Sequence, residues 1–304
     1  MAYYSGQAAS YQELMDVLVS ACVDQGWAWA NSILSKGSAY LKIFNQGGDY
    51  PGVVAQGGTG KTGSSLINPS SSMPRLGRPA FLGQGQNSNV TWPAQYYIHI
   101  FSEPDEVYLV LHHSVDAFWK LSFGVSNFNG SGLWISGTAG MQGPTQSPHA
   151  EGSFSPLLNG TGNDFLSTGV PFWQTQCPSN EYVENIVYRD SSWLNSGWTF
   201  YAVSAIAPFF SRQPNNWNQE SIFFPIRAFE IVASNKVCLR LELNNARYCR
   251  IDNLEPNQIL NFGNEKWKVY PGVRKNISAR NGGRTDLGYD HSGTFGLAIR
   301  YDGP

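Results

Sequence analysis

Charge is scarce in this sequence. Lys, Arg, Asp and Glu make up 14% of its 304 residues, against about 25% in ordinary soluble domains. The formal net charge is −2. There is no basic field to hold phosphates, so nucleic-acid recognition is not expected. No run approaches the roughly 18 apolar residues of a membrane-spanning helix, so none is expected. The first ten residues, MAYYSGQAAS, hold neither a basic nor an apolar stretch, so no secretory signal is expected. Cysteine is sparse: Cys22, Cys177, Cys238 and Cys249, with no CxxC spacing. That is no zinc pattern and is thin for a disulfide framework. Buried free thiols in a protein made in the cytoplasm are the expectation.

Aromatic residues and glycine are abundant instead. Phe, Trp and Tyr make up 14%, with 10 Trp, beside 32 Gly. A surface rich in Trp, Tyr, Asn, Ser and Gly suits wide protein contacts or sugar contacts. The most ordered stretch is Tyr96 to Gly124, where three runs rich in aromatic and β-branched residues are parted by two turn signals. Tyr96–Phe101, Val107–His113 and Ala117–Phe123 read as an antiparallel meander. Alternation puts Val107, Leu109 and Leu111 on one face and Tyr108 and Val110 on the other. Ile98 and Ile100 face one way, Tyr97 and Phe101 the other. Neither face is polar, so both need cover from a second sheet, a helix or another subunit.

Ser10 and Glu13 fit a capping box ahead of the stripe Tyr11, Leu14, Val17, Leu18 and Ala21. One amphipathic helix is expected from Tyr11 to Gln25, with Gly26 as its stop. Trp27–Leu34 and Ser38–Phe44 flank a hairpin turn at Ser35-Lys36-Gly37. Residues 45–95 are rich in Gly, Ser, Asn, Gln and Pro and read as an extended arm or binding loop rather than core. Residues 125–226 interleave Trp134, Trp173, Trp193, Trp198 and Trp217 with polar residues, and Gly197–Ala207 is the clearest strand among them. Ile226–Ala233 is a further strand. Val237–Leu243 and Arg247–Ile251 form a hairpin about Asn244-Asn245, setting Glu242 opposite Arg247 and Cys238 diagonal to Cys249. A disulfide between those cysteines would need the turn to shift. Lys266–Tyr270 and Gly296–Tyr301 complete the strands. The expected architecture is mainly β with one N-terminal helix: antiparallel, sandwich-like sheets with long Gly/Ser/Asn-rich loops or arms. Its segments are 1–125, a loop-rich aromatic insertion at 126–226, and a C-terminal β region at 227–304 that packs with the first.

The motifs of chemistry are weak. Gln56-Gly-Gly-Thr-Gly-Lys61-Thr62 resembles a phosphate-binding loop, but Ala55 stands at the first glycine position and Gly63 to Pro69 will not start a helix. A flexible loop is the expectation. Glu103, Asp105 and Glu106 crowd one turn, whereas paired catalytic carboxylates need a cleft and a fixed separation. His112 and His113 point to opposite faces, and His99 adds at most one more ligand, so no metal site is expected. No nucleophile with a base appears. The expectation is a chain without enzymatic activity and without a cofactor.

Two stretches resemble the structural proteins of tailed-bacteriophage virions. One is the meander, ending in Phe118-Trp-Lys-Leu-Ser-Phe123-Gly124. The other runs through Arg247-Tyr-Cys-Arg-Ile-Asp-Asn-Leu-Glu-Pro256, Phe262-Gly-Asn-Glu-Lys-Trp267-Lys-Val-Tyr-Pro271 and Arg274-Lys275, closing with Ser292-Gly-Thr-Phe-Gly296-Leu-Ala-Ile-Arg-Tyr301. The N-terminal helix running into Gly26-Trp27 fits as well. Together these cover about half of the chain; residues 45–95 and 140–220 lie outside the resemblance. The resemblance implies a tail subunit at the neck or tail terminator, or in the baseplate, located in the virion and assembled in the host cytoplasm. Its implied partners are copies of itself in a ring, roughly six-fold, and other tail proteins, through head-to-tail interfaces. Tyr97, Phe101, Tyr108, Phe118, Trp119 and Trp267 are the expected contact residues. The aromatic middle segment suggests an alternative, a carbohydrate-binding, receptor-binding β module of a phage baseplate or tail.

Overall fold

A computed structural model describes residues 1–48, 51–71, 73–77, 90–141, 185–189, 192–195, 223–233, 236–278 and 294–304. Within them the chain runs β1 (Ala2–Ala8), α1 (Tyr11–Asp24), β2 (Ala28–Ala30), β3 (Ile33–Lys36), β4 (Ala39–Gln46), β5 (Gly52–Gly58), β6 (Gly60–Thr62), β7 (Ser65–Ile67), β8 (Met73–Gly77), β9 (Ala94–Ser102), β10 (Asp105–Ser114), β11 (Ala117–Val125), β12 (Ser131–Gly137), β13 (Ala139–Met141), β14 (Asn185–Arg189), β15 (Ser192–Asn195), β16 (Phe224–Ala233), β17 (Lys236–Arg250), β18 (Ile259–Phe262), β19 (Glu265–Pro271) and β20 (Phe295–Arg300). The fold is mainly β with one helix, and its strand pairings are antiparallel, as the sequence predicts.

The meander is the middle layer. β9, β10 and β11 pair in chain order, and the full sheet runs β1-β9-β10-β11-β12-β14-β15. A second sheet runs β13-β8-β5-β4-β3-β2 and a third β16-β17-β20-β19-β18. Alternation along the central strands decides what each face meets. Ile98, Ile100, Val107, Leu109, Leu111, Trp119 and Phe123 point into a core shared with Leu34, Leu41, Val53 and Leu76 of the second sheet and with Leu14 and Leu18 of α1. Phe101, Tyr108, Val110 and Phe118 point the other way, against Ile226, Leu243, Tyr270, Leu297 and Ile299 of the third sheet. Burying each such side chain stabilises by about 1.5–3 kcal/mol, so both cores hold the layers firmly. The central sheet therefore obtains both of its covers from its own chain.

The helix ends are set by local chemistry. The Ser10 hydroxyl accepts the Glu13 N–H at 3.1 Å, and the Glu13 carboxylate accepts the Ala9 N–H at 2.7 Å. At the other end Gly26 has φ +82°, Trp27 N–H reaches the Cys22 carbonyl and Gly26 N–H the Val23 carbonyl. This is a Schellman closure, and it needs a residue that tolerates positive φ at Gly26.

Several expectations are corrected. β1 is a strand that the sequence analysis does not foresee; it pairs with β9 over its whole length. Residues 45–95 are not simply an arm, because β5 and β8 are inner strands of the second sheet and Val53, Val54, Ala55 and Leu76 are fully buried. Small residues made this segment look like a loop, yet a tightly covered strand favours them. Trp27–Leu34 is two strands, turned at Asn31 and Ser32 with φ of 55° and 63°, the geometry of a primed hairpin turn. β18 also goes unforeseen. Gly197–Ala207, Trp173, Trp198, Trp217 and Cys177 lie outside the described residues. The described part of 126–226 is built into the sheets, with β12, β14 and β15 extending the central one.

The expected hairpin at Asn244-Asn245 does not form. β17 is a single strand of 15 residues that departs from β16 between Glu242 and Arg247. Glu242 pairs with Arg227 on β16 at 2.6 Å instead of with Arg247. Cys238 and Cys249 lie on the same strand and are both free. At about 3.3 Å per residue their separation is tens of ångströms, so no disulfide joins them.

Candidate functional site

All three sheets reach one groove of about 570 Å³. The β3–β4 turn supplies Lys36, Gly37 and Ser38, and Gly37 closes that turn with φ +55°. The β9–β10 turn supplies Ser102, Glu103, Pro104 and Asp105; Val125 and Asn127 come from the end of β11, and Asn244 from β17. The Lys36 ammonium meets the Asp105 carboxylate at 2.7 Å and donates to the Gln25 carbonyl at 3.2 Å. This half-buried pair ties the second sheet to the central one at the rim.

Glu106 lies next along β10 and, by alternation, turns inward; it is 1% exposed. Asn244 N–H donates to its Oε1 at 2.8 Å. Asn245 N–H, Asn245 Nδ2 and the Tyr108 hydroxyl donate to its Oε2 at 2.9, 2.8 and 2.9 Å. Burial pushes its pKa up, while these donors pull the other way. The residue is a tie: a carboxylate of the central sheet gripping the backbone of β17 where that strand bulges away from β16, between Glu242 and Arg247.

A second tie has the opposite sign. Lys120 on β11 is 3% exposed, and its ammonium donates to the Pro271 carbonyl at 2.6 Å and to the Gly272 carbonyl. Burial pushes its pKa down to about 7. A third uses aromatic faces. The Lys268 ammonium lies 5.0, 4.9 and 5.1 Å from the ring centres of Tyr3, Tyr97 and Tyr301 and donates to the Tyr3 hydroxyl at 2.9 Å. Such cation–π contacts hold an ammonium where no carboxylate is needed. Sequence reasoning passed over Lys120 and Lys268. Their signal was a lone lysine inside an apolar strand: Phe118-Trp-Lys-Leu for one, Trp267-Lys-Val-Tyr for the other.

The three acids of the β9–β10 turn do not assemble into a catalytic pair. Glu106 is saturated by protein donors, Asp105 is engaged by Lys36, and Glu103 faces solvent. The imidazoles are also separated. His99 Nε2 meets the Tyr270 hydroxyl at 2.8 Å, and burial holds its pKa down to about 3. His112 stacks on Phe118 at 4.4 Å, and His113 lies against Trp119 at 4.0 Å on the opposite face. Burial holds His113 down to about 3 as well. Among the described residues no group of three or more His, Cys, Asp or Glu is placed to hold a metal. The glycine-rich Gln56–Thr62 is neither a phosphate cradle nor a flexible loop. It ends β5 and opens the β6–β7 hairpin; Gln56 Nε2 donates to the Ser70 carbonyl at 2.8 Å and Lys61 reaches the Ser35 hydroxyl at 3.4 Å.

The expected contact residues lie mostly inside the fold. Tyr108 and Phe118 are 0% exposed, and Phe101, Trp119 and Trp267 are buried as well. Phe118 meets Tyr270 edge-on between the central and third sheets, whereas Trp267 packs against Phe223 on the other face of the third sheet. Tyr97 is half-buried and belongs to the Lys268 cage. Trp193 likewise covers Gly57 across the two sheets and donates to the Asn68 carbonyl at 3.0 Å. No family model matches the chain, and no curated protein matches it.

Proposed function

We propose that this chain is a non-enzymatic structural subunit of a tailed-phage virion, acting at the neck or tail terminator by assembly with copies of itself and with other tail proteins. One observation carries the reading. The two stretches that resemble virion proteins are separated by more than a hundred residues in sequence, yet they pack on each other. Phe101, Tyr108 and Phe118 of the meander and Tyr248, Tyr270, Phe295 and Leu297 of the C-terminal strands share one core, and Lys120 bonds the carbonyls of Pro271 and Gly272 across it. The resemblance thus falls on one structural unit. A low charge fraction adds support, since wide interfaces then desolvate few ions.

The contact surface of this reading moves outward from the meander, whose faces are taken. Among the described residues the outer edge of the third sheet is β18, which pairs with β19, and Ile259 and Phe262 on it are exposed. An edge strand of this kind offers unpaired backbone groups to a neighbour. The test is deletion of the gene from the phage that carries it. Particles with unjoined or ragged tails, restored by supplying the chain, are the expected result. Complete and infectious particles without the chain would overturn it.

A further inference from the structure

We propose that the groove between the β3–β4 turn and the β9–β10 turn binds a neutral sugar residue. This goes beyond the virion reading and does not depend on it. Hydroxyl-rich ligands need acceptors and donors side by side, with little net charge. The groove has that composition: carboxylates of Glu103 and Asp105, the Lys36 ammonium, hydroxyls of Ser38 and Ser102, and amides of Asn127 and Asn244. Each amide and hydroxyl both donates and accepts. Val125 and Pro104 add apolar wall for the C–H face of a ring.

Other ligand classes fit less well. Lys36 already neutralises Asp105 at 2.7 Å, which removes one carboxylate from any cation. Glu103, whose charge Lys36 does not offset, disfavours an anion. The volume of about 570 Å³ falls within the range of small-molecule sites and holds one or two sugar rings. The walls are held before binding. Asn244 is fixed through its backbone N–H to Glu106 at 2.8 Å, and Lys36 is held by two partners. A prearranged site spends less affinity on ordering its own side chains.

The experiment is saturation-transfer NMR on the full chain with D-glucose, D-galactose, N-acetyl-D-glucosamine and L-rhamnose, each titrated to about 20 mM, because a millimolar site corresponds to only about −4 kcal/mol. The expected result is saturable transfer from at least one sugar. Glu103→Gln combined with Asn127→Ala should weaken it roughly ten-fold or more. Both residues are exposed, so the circular-dichroism melt should not change, and Ser38→Ala provides an independent second variant. No saturable signal from any of the four sugars would overturn the proposal. So would binding that neither variant weakens, which places the sugar elsewhere. So would saturation of the groove resonances by calcium chloride alone, which would make it a cation site.

Discussion

Replacing Lys120 by Met should change how stability depends on pH. The folded-state pKa of Lys120 is pushed down to about 7 from 10.5 by burial. Unfolded chain stays protonated up to the ordinary value, so between the two values folding releases a proton and stability rises with pH. The full rise corresponds to about 5 kcal/mol, and roughly 2.5 kcal/mol of it falls between about pH 6 and pH 9. The carbonyls of Pro271 and Gly272 favour the charged form and so make these figures upper bounds. A Met variant has no proton to release, and its stability lacks this rise. Urea unfolding of both proteins at about pH 6, 7.5 and 9 measures it. The wild type should gain on the variant as pH rises, by roughly 2 kcal/mol over the range. At the acid end the variant should be about as stable as the wild type or more so, because a buried charge has been removed. A difference that stays flat with pH would show that Lys120 keeps its ordinary affinity for protons, and would refute a folded-state pKa lowered by burial.

Glu106→Gln puts an amide where four donors converge on a carboxylate. It should cost about 2–4 kcal/mol, read as a lower urea midpoint, and an unchanged midpoint would contradict the tie to β17. Gly57→Ala places a Cβ 2.5 Å from the ring of Trp193; a loss of about 1–3 kcal/mol with a shifted tryptophan emission is expected, and a neutral result would mean that Trp193 does not close the second sheet. Cys238 and Cys249 should titrate as free thiols in denaturant without reductant, and reductant should leave the melting temperature unchanged.

The meander was legible because its signals are strong and local. Period-two apolar runs with polar breaks fixed β9, β10 and β11 and told which of Val107 to Leu111 faces which way. The capping pair Ser10 and Glu13 and the stop at Gly26 located α1 for the same reason. What failed needed long-range information. Val53, Val54 and Ala55 sit among glycines, so composition spoke for a loop, whereas pairing with β4 and β8 makes them core. Asn244-Asn245 has turn chemistry, but Glu106, far away in sequence, supplies partners for both amides and lets β17 run on. Local pattern also could not separate a core aromatic from a contact aromatic. Phe118 and Tyr108 look the same in either role until the third sheet is placed over them. The groove was invisible in sequence because its walls come from four separate segments.

Quantitative mass spectrometry of purified phage particles is the decisive test of the proposed virion role. Under the proposed virion role, particles of a phage encoding the chain would be banded on a density gradient, washed in high salt and digested. Peptides of this chain should remain at a constant molar ratio to the major tail protein through every wash. Loss of the chain to the soluble fraction, with particles otherwise complete, would contradict it.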